Sequence, residues 1–515
     1  MTTSTDTMTS SPVAQDLTGG VFDALAADST DEIIEYESME MVEGVEDLQM
    51  YNKGGLHPVH LDDVLDGRFE VLHKLGYGGF GTVWFCRDIV MEKWRAVKIM
   101  AADHSTQAVE EKIFSHLRSR CTVEELEDNH ILAPLDQFWI EGPNGRHLCL
   151  VMPVLGWTVS DWRLNQSDYD EQTGYNEQIG IDAKYVCGQI VEAMHFLHSH
   201  GICHGDFKPG NILMKLEGID ELDKDQILEM LGEVDCYEIG TVSGQPTPRA
   251  PEYCVVSASP FWCKNLSTKS IAIIDFGESF FVDNPPASTG IPCQYGAPEI
   301  LFPGTIVPGF PSDIWSLACT LYEVRAEAPL FQPSGLGGFS GIIQSIRFYL
   351  GYLPPLYRNA YIEVLRSWRA PRVSSSNRDV VRAQPVKSEP PSKPEQQPVT
   401  EIVDELAESR KKFTEGTGYC DVFEADLGRV RMSFLQDKIF EFRYPREDVL
   451  ELSDLLRRML NYDPEERISI DEVMSHPWVG KRPKEITISN FTNRGMCSYK
   501  SMLAFHDVNK CMQIE

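Results

Sequence analysis

Residues 202–214 read Ile-Cys-His-Gly-Asp-Phe-Lys-Pro-Gly-Asn-Ile-Leu-Met, the most informative stretch of the sequence. It places a carboxylate, Asp206, five residues before a side-chain amide, Asn211, between two short apolar runs. Apolar residues recur at helical intervals through 182–200, so a helix is predicted to lead into the stretch. The histidines at 195, 198, 200 and 204 could form a metal cluster, but no Cys/His set with ligand spacing completes one. The stretch is therefore interpreted as a loop that presents one acid and one amide.

A glycine cluster lies upstream, within residues 69–86, which read FEVLHKLGYGGFGTVWFC. Gly76, Gly78 and Gly81 form the pattern G-x-G-x-x-G, whose glycines let backbone amides approach phosphate oxygens without a Cβ clash. A dinucleotide-binding turn has the same spacing, but a helix starts there. Here β-branched and aromatic residues follow directly, which predicts two antiparallel strands joined by a flexible loop.

A lysine follows in a third predicted strand. Residues 95–99 read Arg-Ala-Val-Lys-Ile and place Lys98 among strand formers, where an ordinary strand-edge lysine is the simplest alternative. Residues 107–117 have helical spacing, with Glu110 and Glu111 between apolar positions. Apolar residues three and four positions after Glu110 favour it as the glutamate that faces the lysine, and Glu111 is the close alternative.

Acidic and structural motifs continue downstream. An apolar run at 271–274 ends in Asp275-Phe276-Gly277, and the Asp275 carboxylate is the hard oxygen ligand that Mg²⁺ prefers. Residues 296–299 read Gly-Ala-Pro-Glu and end a segment that starts at Asp275. Asp313 begins an Asp-Ile-Trp motif, and Arg467 ends an Asp-Pro-Glu-Glu-Arg motif.

These motifs, in this order, resemble those of eukaryotic protein kinases from residue 69 to about 478. The resemblance implies an α+β, bilobal protein kinase fold. A small N-lobe with an antiparallel sheet and helix αC is expected at 69–152, and a larger, mainly helical C-lobe at 153–480. It also implies that Asp313 steadies the catalytic loop and that Arg467 pairs with Glu299.

The same resemblance implies the chemistry of the cleft. Asp206 would orient the hydroxyl of a protein substrate, and Lys98, held by Glu110, would contact the α- and β-phosphates of ATP. Asn211 and Asp275 would bind Mg²⁺, and Lys208 is typical of serine/threonine kinases. The remaining nucleotide-binding candidates are the glycine loop, the apolar walls and the hinge: Leu75, Gly76, Gly78, Gly79, Phe80, Gly81, Val83, Ala96, Met152, Val154 and Leu155.

Within kinases the chain is most similar to the SR-protein kinase family, of fungal type. The resemblance rests on the His-Leu-Asp-Asp-Val motif at 60–64, the glycine loop, the Val-Leu-Gly hinge at 154–156 and a break at 216–269 before Asp275. It implies phosphorylation of serines in Arg/Ser-rich splicing factors, and residence in cytoplasm and nucleus. The sequence departs from the pattern at Phe276, where leucine is common, and at 329–368, which has no acidic docking cluster. Gly205 replaces the usual kinase arginine, which SR-protein kinases also lack.

Composition narrows the partners. The 515 residues carry 78 Asp+Glu against 46 Lys+Arg, a formal net charge of −32, which argues against direct nucleic-acid binding. No apolar run is long enough for a membrane span, and the first 20 residues show no secretory signal. Thirteen scattered cysteines indicate reduced thiols. The expected partners are ATP and a protein substrate, with no membrane, for a monomeric enzyme.

Four segments fall outside the two predicted lobes or interrupt them. Residues 1–55 are interpreted as an acidic disordered tail, and residues 481–515 as a C-terminal tail without a motif. Residues 216–269 and 371–412 are interpreted as inserts, and the second of these as an extended Pro-rich linker. A pseudokinase scaffold is the main alternative to a non-specific serine/threonine kinase, and a kinase for substrates other than Arg/Ser repeats is the second. The cleft lysine Lys98 and the polar residues Asp206, Asn211 and Asp275 are all present, which disfavours the scaffold.

Overall fold

The computed structural model describes residues 33–37, 42–105, 109–166, 176–333, 338–369, 399–435 and 438–480. They form a smaller lobe built on an antiparallel sheet and a larger lobe dominated by helices, so the predicted bilobal α+β fold is confirmed. Within these ranges, no helix combines the length and apolarity that crossing a bilayer requires. The predicted C-terminal tail at 481–515 lies outside the described residues.

The N-lobe sheet has six strands in the order β1-β2-β3-β4-β6-β5, each antiparallel to its neighbours. Alternation along the strands places one set of apolar side chains, including Val71, Trp84 and Val97, in a buried cluster on one face. The elements are β1 Val64–Leu65, β2 Phe69–Gly78, β3 Gly81–Asp88, β4 Lys93–Met100, α1 Ala102–Ser105, α2 Val109–Arg118, α3 Val123–Asp128, β5 Asp136–Gly142 and β6 Gly145–Pro153.

The C-lobe is organised around two long helices, whose residues are mostly buried. Its helices are α4 Val159–Leu164, α5 Glu177–Ser199, α6 Lys224–Leu231, α7 Pro298–Leu301, α8 Phe310–Ala326, α9 Gly338–Leu350, α10 Pro355–Arg369, α11 Val399–Thr414, α12 Val422–Leu427, α13 Arg446–Met459, α14 Ile470–Ser475 and α15 Pro477–Gly480. The two long, mostly buried helices are α5 and α8. Helix α5 is the one predicted from the apolar spacing at 182–200. Side chains from both pack in one large apolar cluster that also includes Phe207 and Phe276 from the cleft segments.

Short strands complete the C-lobe and the insert. They are β7 Leu155–Thr158, β8 Ile202–Cys203, β9 Ile212–Leu216, β10 Cys236–Glu238, β11 Tyr253–Val255, β12 Ser267–Ile273, β13 Phe280–Phe281, β14 Arg431–Leu435 and β15 Lys438–Phe442. The order β12-β9-β7 places the hinge strand, the strand after Asn211 and the strand before Asp275 in one sheet. The two chemical segments are therefore held side by side.

The prediction of a disordered tail at 1–55 is wrong for residues 33–37 and 42–55. Apolar side chains between the acids, among them Tyr36, Leu48 and Tyr51, are buried against Cys254 of the insert. The Glu46 carboxylate is buried with the Lys74 ammonium of β2 and accepts a hydrogen bond from the Tyr51 hydroxyl. Acid content predicted disorder, but paired charge and apolar contact with the rest of the chain compensate the ordering cost. Residues 1–32 and 38–41 lie outside the described residues.

Both predicted inserts contain helices or strands among their described residues. In the first, α6 and the β10–β11 hairpin pack beside the N-lobe. In the second, residues 399–412 belong to helix α11, so the prediction of an extended linker is wrong there. Residue 398 is the last proline before that helix, and the helix-forming residues after it make a helix possible. Residues 371–398 lie outside the described residues.

Candidate active site

A cavity of about 510 Å³ lies between the N-lobe sheet and the C-lobe. Ten of the predicted nucleotide-binding residues line it: Leu75, Gly76, Gly78, Phe80, Gly81, Val83, Ala96, Lys98, Met152 and Leu155. Gly79, Val154 and Asn211 are not among the lining residues. The Val154 side chain is buried instead in an apolar cluster with Phe85 and Trp94, on the hinge side of the sheet.

The glycine loop is the turn between β2 and β3, as the sequence predicts. An added Cβ at Gly81 would lie 2.2 Å from the Ile99 carbonyl oxygen, so packing within the protein requires glycine there. At Gly76, Gly78 and Gly79 an added Cβ would meet nothing within 4 Å. Their missing side chains leave open space above the cavity, which fits a loop that receives phosphate groups.

Lys98 lies between two carboxylates. Its Nζ is 2.8 Å from Asp275 Oδ1 and 3.7 Å from Glu110 Oε2. Glu110 is buried in α2, whereas Glu111 is exposed, so Glu110 is the glutamate that the structure brings to the lysine. Burial would lower the pKa of Lys98, but the negative charges of Glu110 and Asp275 outweigh it and raise that pKa above its ordinary value.

Asp275 shows the reciprocal effect. Burial would raise the pKa of its carboxyl, but the positive charge and hydrogen bond of Lys98 hold that pKa below its ordinary value. Because its pKa is lowered, the Asp275 carboxylate remains ionised at neutral pH, as a cation ligand must. The backbone φ of Asp275, 64°, is in the left-handed region, which is rare for a residue other than glycine.

The loop after β8 brings together the predicted catalytic residues Asp206 and Lys208 and the predicted metal ligand Asn211. Lys208 Nζ lies 2.5 Å from Asp206 Oδ2, and Asn211 Nδ2 donates to the same oxygen at 3.0 Å. Asn211 also donates to the Asp206 carbonyl at 2.9 Å, which fixes the loop's turn. Among the described residues, the buried Asp206 Oδ1 has no hydrogen-bond partner. This carboxylate is held by one oxygen and keeps the other available as an acceptor.

Asp313 of α8 holds the backbone of this loop by hydrogen bonds, as predicted. Its carboxylate accepts the backbone N–H groups of His204 at 2.7 Å and Gly205 at 3.1 Å, and His198 Nε2 lies 3.2 Å away. The four histidines that sequence analysis considered as a metal cluster have separate contacts: His195 with Asp471, His198 with Asp313, His200 with Cys121, and His204 with the Ile274 carbonyl.

The predicted pair between Glu299 and Arg467 is present and bidentate. Arg467 Nη1 and Nη2 donate to the two carboxylate oxygens at 2.6 and 2.8 Å, and the Ser312 hydroxyl donates to one of them. Both side chains of the ion pair are almost fully buried. The pair fixes the end of the segment that begins at Asp275 against the last part of the C-lobe.

The packing around position 205 explains why glycine, and not arginine, precedes Asp206. Its φ is +77°, and an added Cβ would lie 2.2 Å from the Glu278 carbonyl oxygen. Glu278 in turn accepts the Gly290 N–H at 2.8 Å, which ties two parts of the 275–299 segment together. The close backbone approach thus excludes any residue with a side chain unless the loop moves.

The oxygen atoms of Asn211 and Asp275 fit a Mg²⁺ site. The Asn211 amide nitrogen is engaged with Asp206, so the side-chain oxygen is the atom left for a cation. Asp275 supplies an ionised carboxylate. Within the described residues there is no group of three His, Cys, Asp or Glu side chains that could hold a metal. The fit is therefore to a hard cation that takes few protein oxygens and completes its shell from phosphate and water.

Sequence reasoning missed one wall of the cavity. Ala258, Pro260 and Trp262, from the end of the first insert, line it together with hinge residues. Leu132, Asp161 and Leu213 also line it. No spacing rule marks the insert residues, because only the folded chain brings them to the cleft.

Comparison with known proteins gives one family match. The family model described as "Protein kinase domain" matches residues 69–226 and 262–479. "Serine/threonine-protein kinase spk-1" of Caenorhabditis briggsae is 32% identical over 223 residues, which is 43% of this chain and 19% of that protein. "SRSF protein kinase 3" of Homo sapiens is 36% identical over 173 residues, 33% of this chain and 29% of that protein.

A third relative is matched along most of its length. "Serine/threonine-protein kinase SRPK" of Physarum polycephalum is 26% identical over 474 residues, 86% of this chain and 92% of that protein. The first two relatives, in contrast, are matched over less than a third of their lengths. All three relatives are named as protein kinases, the family that the sequence motifs suggest.

Proposed function

The chain belongs to the protein kinase family, and on that premise we propose that it transfers the γ-phosphoryl group of MgATP to serine or threonine in a protein. One observation carries the proposal. Lys98, Glu110 and Asp275 form one ion-paired group at the cavity. Asp206, Lys208 and Asn211 form a second, hydrogen-bonded group on the segment beside it.

Positioning and charge neutralisation account for most of the rate in phosphoryl transfer. Bound MgATP supplies the electrophilic phosphorus and the cation. Lys98 contacts the phosphates from the sheet, and the oxygens of Asn211 and Asp275 hold the cation. Asp206 accepts a hydrogen bond from the substrate hydroxyl through its free oxygen and orients it, while Lys208, 2.5 Å away, balances its charge.

A pseudokinase scaffold is disfavoured by the same geometry. Such a protein needs the fold but not the polar groups, and here Lys98, Asp206, Asn211 and Asp275 are present with their partners in place.

For the substrate, we propose serine in Arg/Ser-rich segments as the first class to test. The support is the similarity to the human SRSF protein kinase 3 and the overall acidic charge, which favours basic partners. Acids near α8 are partly occupied: Glu323 accepts hydrogen bonds from Tyr295 and Ser160, and Glu327 is paired with Arg163. Arginine recognition would therefore need other carboxylates.

Residence in cytoplasm and nucleus and a monomeric state are part of the same proposal. A fluorescent fusion tests the location, and light scattering tests the oligomeric state.

The deciding experiment is phosphate transfer from labelled ATP to a peptide array of Arg/Ser, acidic and proline-directed sequences. The wild type should label serine or threonine. Asp206→Asn and Lys98→Met should each lose at least about a hundredfold in kcat, while keeping the circular dichroism of the wild type. Lys93→Met, on the same strand but half exposed, is the matched control and should stay within twofold. A wild type that never labels any peptide, or an Asp206→Asn variant with full rate, would contradict the proposal.

A further inference from the structure

The first insert returns to the body of the protein through a short 3₁₀ helix, Pro260–Cys263, at the cavity. The family model does not cover residues 227–261, so Ala258 and Pro260 belong to a segment outside the family pattern. Both line the cavity, as does Trp262, which is the first residue of the second matched range. Residues that the family model does not match therefore form part of the cavity wall.

Contacts from both lobes hold this segment in place. On the N-lobe side, the Ala258 N–H donates to the Lys74 carbonyl of β2 at 2.8 Å, next to cavity residue Leu75. On the hinge side, Trp157 Nε1 donates to the Pro260 carbonyl. A Cβ added to Gly156 would lie 3.2 Å from Cys263 Sγ, so the hinge backbone packs closely on the helix. The segment is thus a fixed wall.

Its position along the sheet identifies the end of the cavity that it covers. Val83 is paired with Lys98 in the β3–β4 register, and Phe85, two residues further, is paired with Ala96. Alternation places Val83 and Phe85 on the same face, and two strand residues span about 7 Å. The Trp262 ring contacts the Phe85 ring edge to face, with centroids 5.6 Å apart. Trp262 therefore lies on the hinge side, away from the charged group at Lys98.

The chemistry of that end is mainly apolar. Leu75, Ala96, Met152 and Leu155 line it, and the charged residues Lys98, Glu110 and Asp275 lie at the other end. Asp161, in the first turn of α4 after the hinge strand, is a further charged lining residue, and its carboxylate accepts a hydrogen bond from the Thr158 hydroxyl. An aromatic and aliphatic slot receives a flat base, and the carboxylate and lysine end receives phosphates and a cation. Trp262 adds a large aromatic surface to the slot.

We propose that the insert residues Ala258, Pro260 and Trp262 are nucleotide-binding residues that pack against the adenosine half of ATP, given the phosphoryl-transfer function proposed above. The insert thereby determines affinity for the nucleotide, while the residues at the charged end determine turnover. A change in this wall should raise the Kd for any adenosine ligand, whether or not the ligand carries phosphates.

Isothermal titration of the full chain with MgATP and, separately, with adenosine tests this. In Trp262→Ala the Kd should rise about tenfold for both ligands, within the range that loss of one base–aromatic contact gives. Phe261→Ala is the matched control, because Phe261 is the adjacent aromatic residue, is 58% exposed and is not among the cavity-lining residues. Its Kd values should stay within twofold of the wild type.

The outcomes separate the wall from the overall function. A wild type that binds neither ligand overturns the proposed function. A wild type that binds, with Trp262→Ala within twofold for both ligands, overturns the wall alone. Weakening for MgATP without weakening for adenosine also overturns it, because the effect then lies at the phosphate end. If Trp262→Ala does not fold, Trp262→Leu decides, since it keeps apolar contact with Phe85; its expected loss is about threefold for both ligands.

Discussion

Replacing Gly205 by alanine would test how closely the loop before Asp206 is packed. The φ of Gly205 is +77°, and an ideal Cβ there lies 2.2 Å from the Glu278 carbonyl oxygen. Gly201, four residues earlier, has nearly the same φ, +74°, but its Cβ would meet nothing within 4 Å. The two glycines share the backbone conformation and differ in the space around it, so each is the control for the other.

The magnitudes follow from that difference. A left-handed alanine costs about 1–2 kcal/mol, and this is the whole expected loss for Gly201→Ala. At Gly205 the loop and the Glu278 carbonyl must also separate by about 1.2 Å, from 2.2 Å to the 3.4 Å at which ordinary contact begins. Such a shift weakens the N–H bonds from His204 and Gly205 to the Asp313 carboxylate, and a hydrogen bond to a charged group contributes about 1.5–3 kcal/mol. Gly205→Ala should therefore lose about 3–5 kcal/mol.

Urea unfolding gives the free energy of unfolding for both variants, and kcat is measured at a temperature where both remain folded. Gly205→Ala should lose at least tenfold in kcat because Asp206 is the next residue, while Gly201→Ala should stay near the wild type. Equal stability losses in the two variants would refute the packing argument. An arginine at 205 carries the same Cβ, so Gly205→Arg should be no more stable than Gly205→Ala.

Three further perturbations test the charges. Glu110→Gln should lower kcat more than tenfold because it removes one of the two carboxylates beside the cleft lysine, whereas the exposed Glu111→Gln should have no effect; equal effects would reverse the assignment. Arg467→Ala should cost about 3–5 kcal/mol in urea unfolding, because it leaves the buried Glu299 carboxylate without its partner, and a loss below 1 kcal/mol would contradict this. Burial, together with the charge of the neighbouring His147, lowers the pKa of His57 from 6.5 to about 4. Between pH 6.5 and 4 only the unfolded chain takes up the proton, so the free energy of unfolding should fall by about 3 kcal/mol as the pH drops through that range. His57→Phe should remove that part of the pH dependence, and an unchanged pH profile would count against it.

The polar residues of the cleft could be predicted because their chemistry fixes both residue type and spacing. Asp206 and Asn211 are five residues apart in the sequence, and the 3.0 Å contact between their side chains joins them within one short segment. The choice of Glu110 over Glu111 followed from which side of a helix is apolar. The pair of Glu299 with Arg467, 168 residues apart, required the family resemblance, since nothing local joins them.

Segments judged by composition were predicted less well. Acidic residues dominate the stretch before residue 56, yet Tyr36, Leu48 and Tyr51 are buried because their partner, Cys254, comes from an insert about 200 residues away. The position of Trp262 at the cavity depends on the path of that whole insert. Periodicity detects an element's own apolar face, but not which distant segment will cover it.

The salt link between Glu46 and Lys74 bears on where the catalytic unit begins. Trimming the polypeptide to start at Phe69, where the family match starts, would keep a lysine with no exposed side-chain surface and delete its counter-ion. An orphaned charge of that kind costs about 3–5 kcal/mol, a large share of the 5–15 kcal/mol by which a domain is normally stable. A fragment that is to remain folded should therefore start before Glu46, upstream of the border that family likeness would suggest.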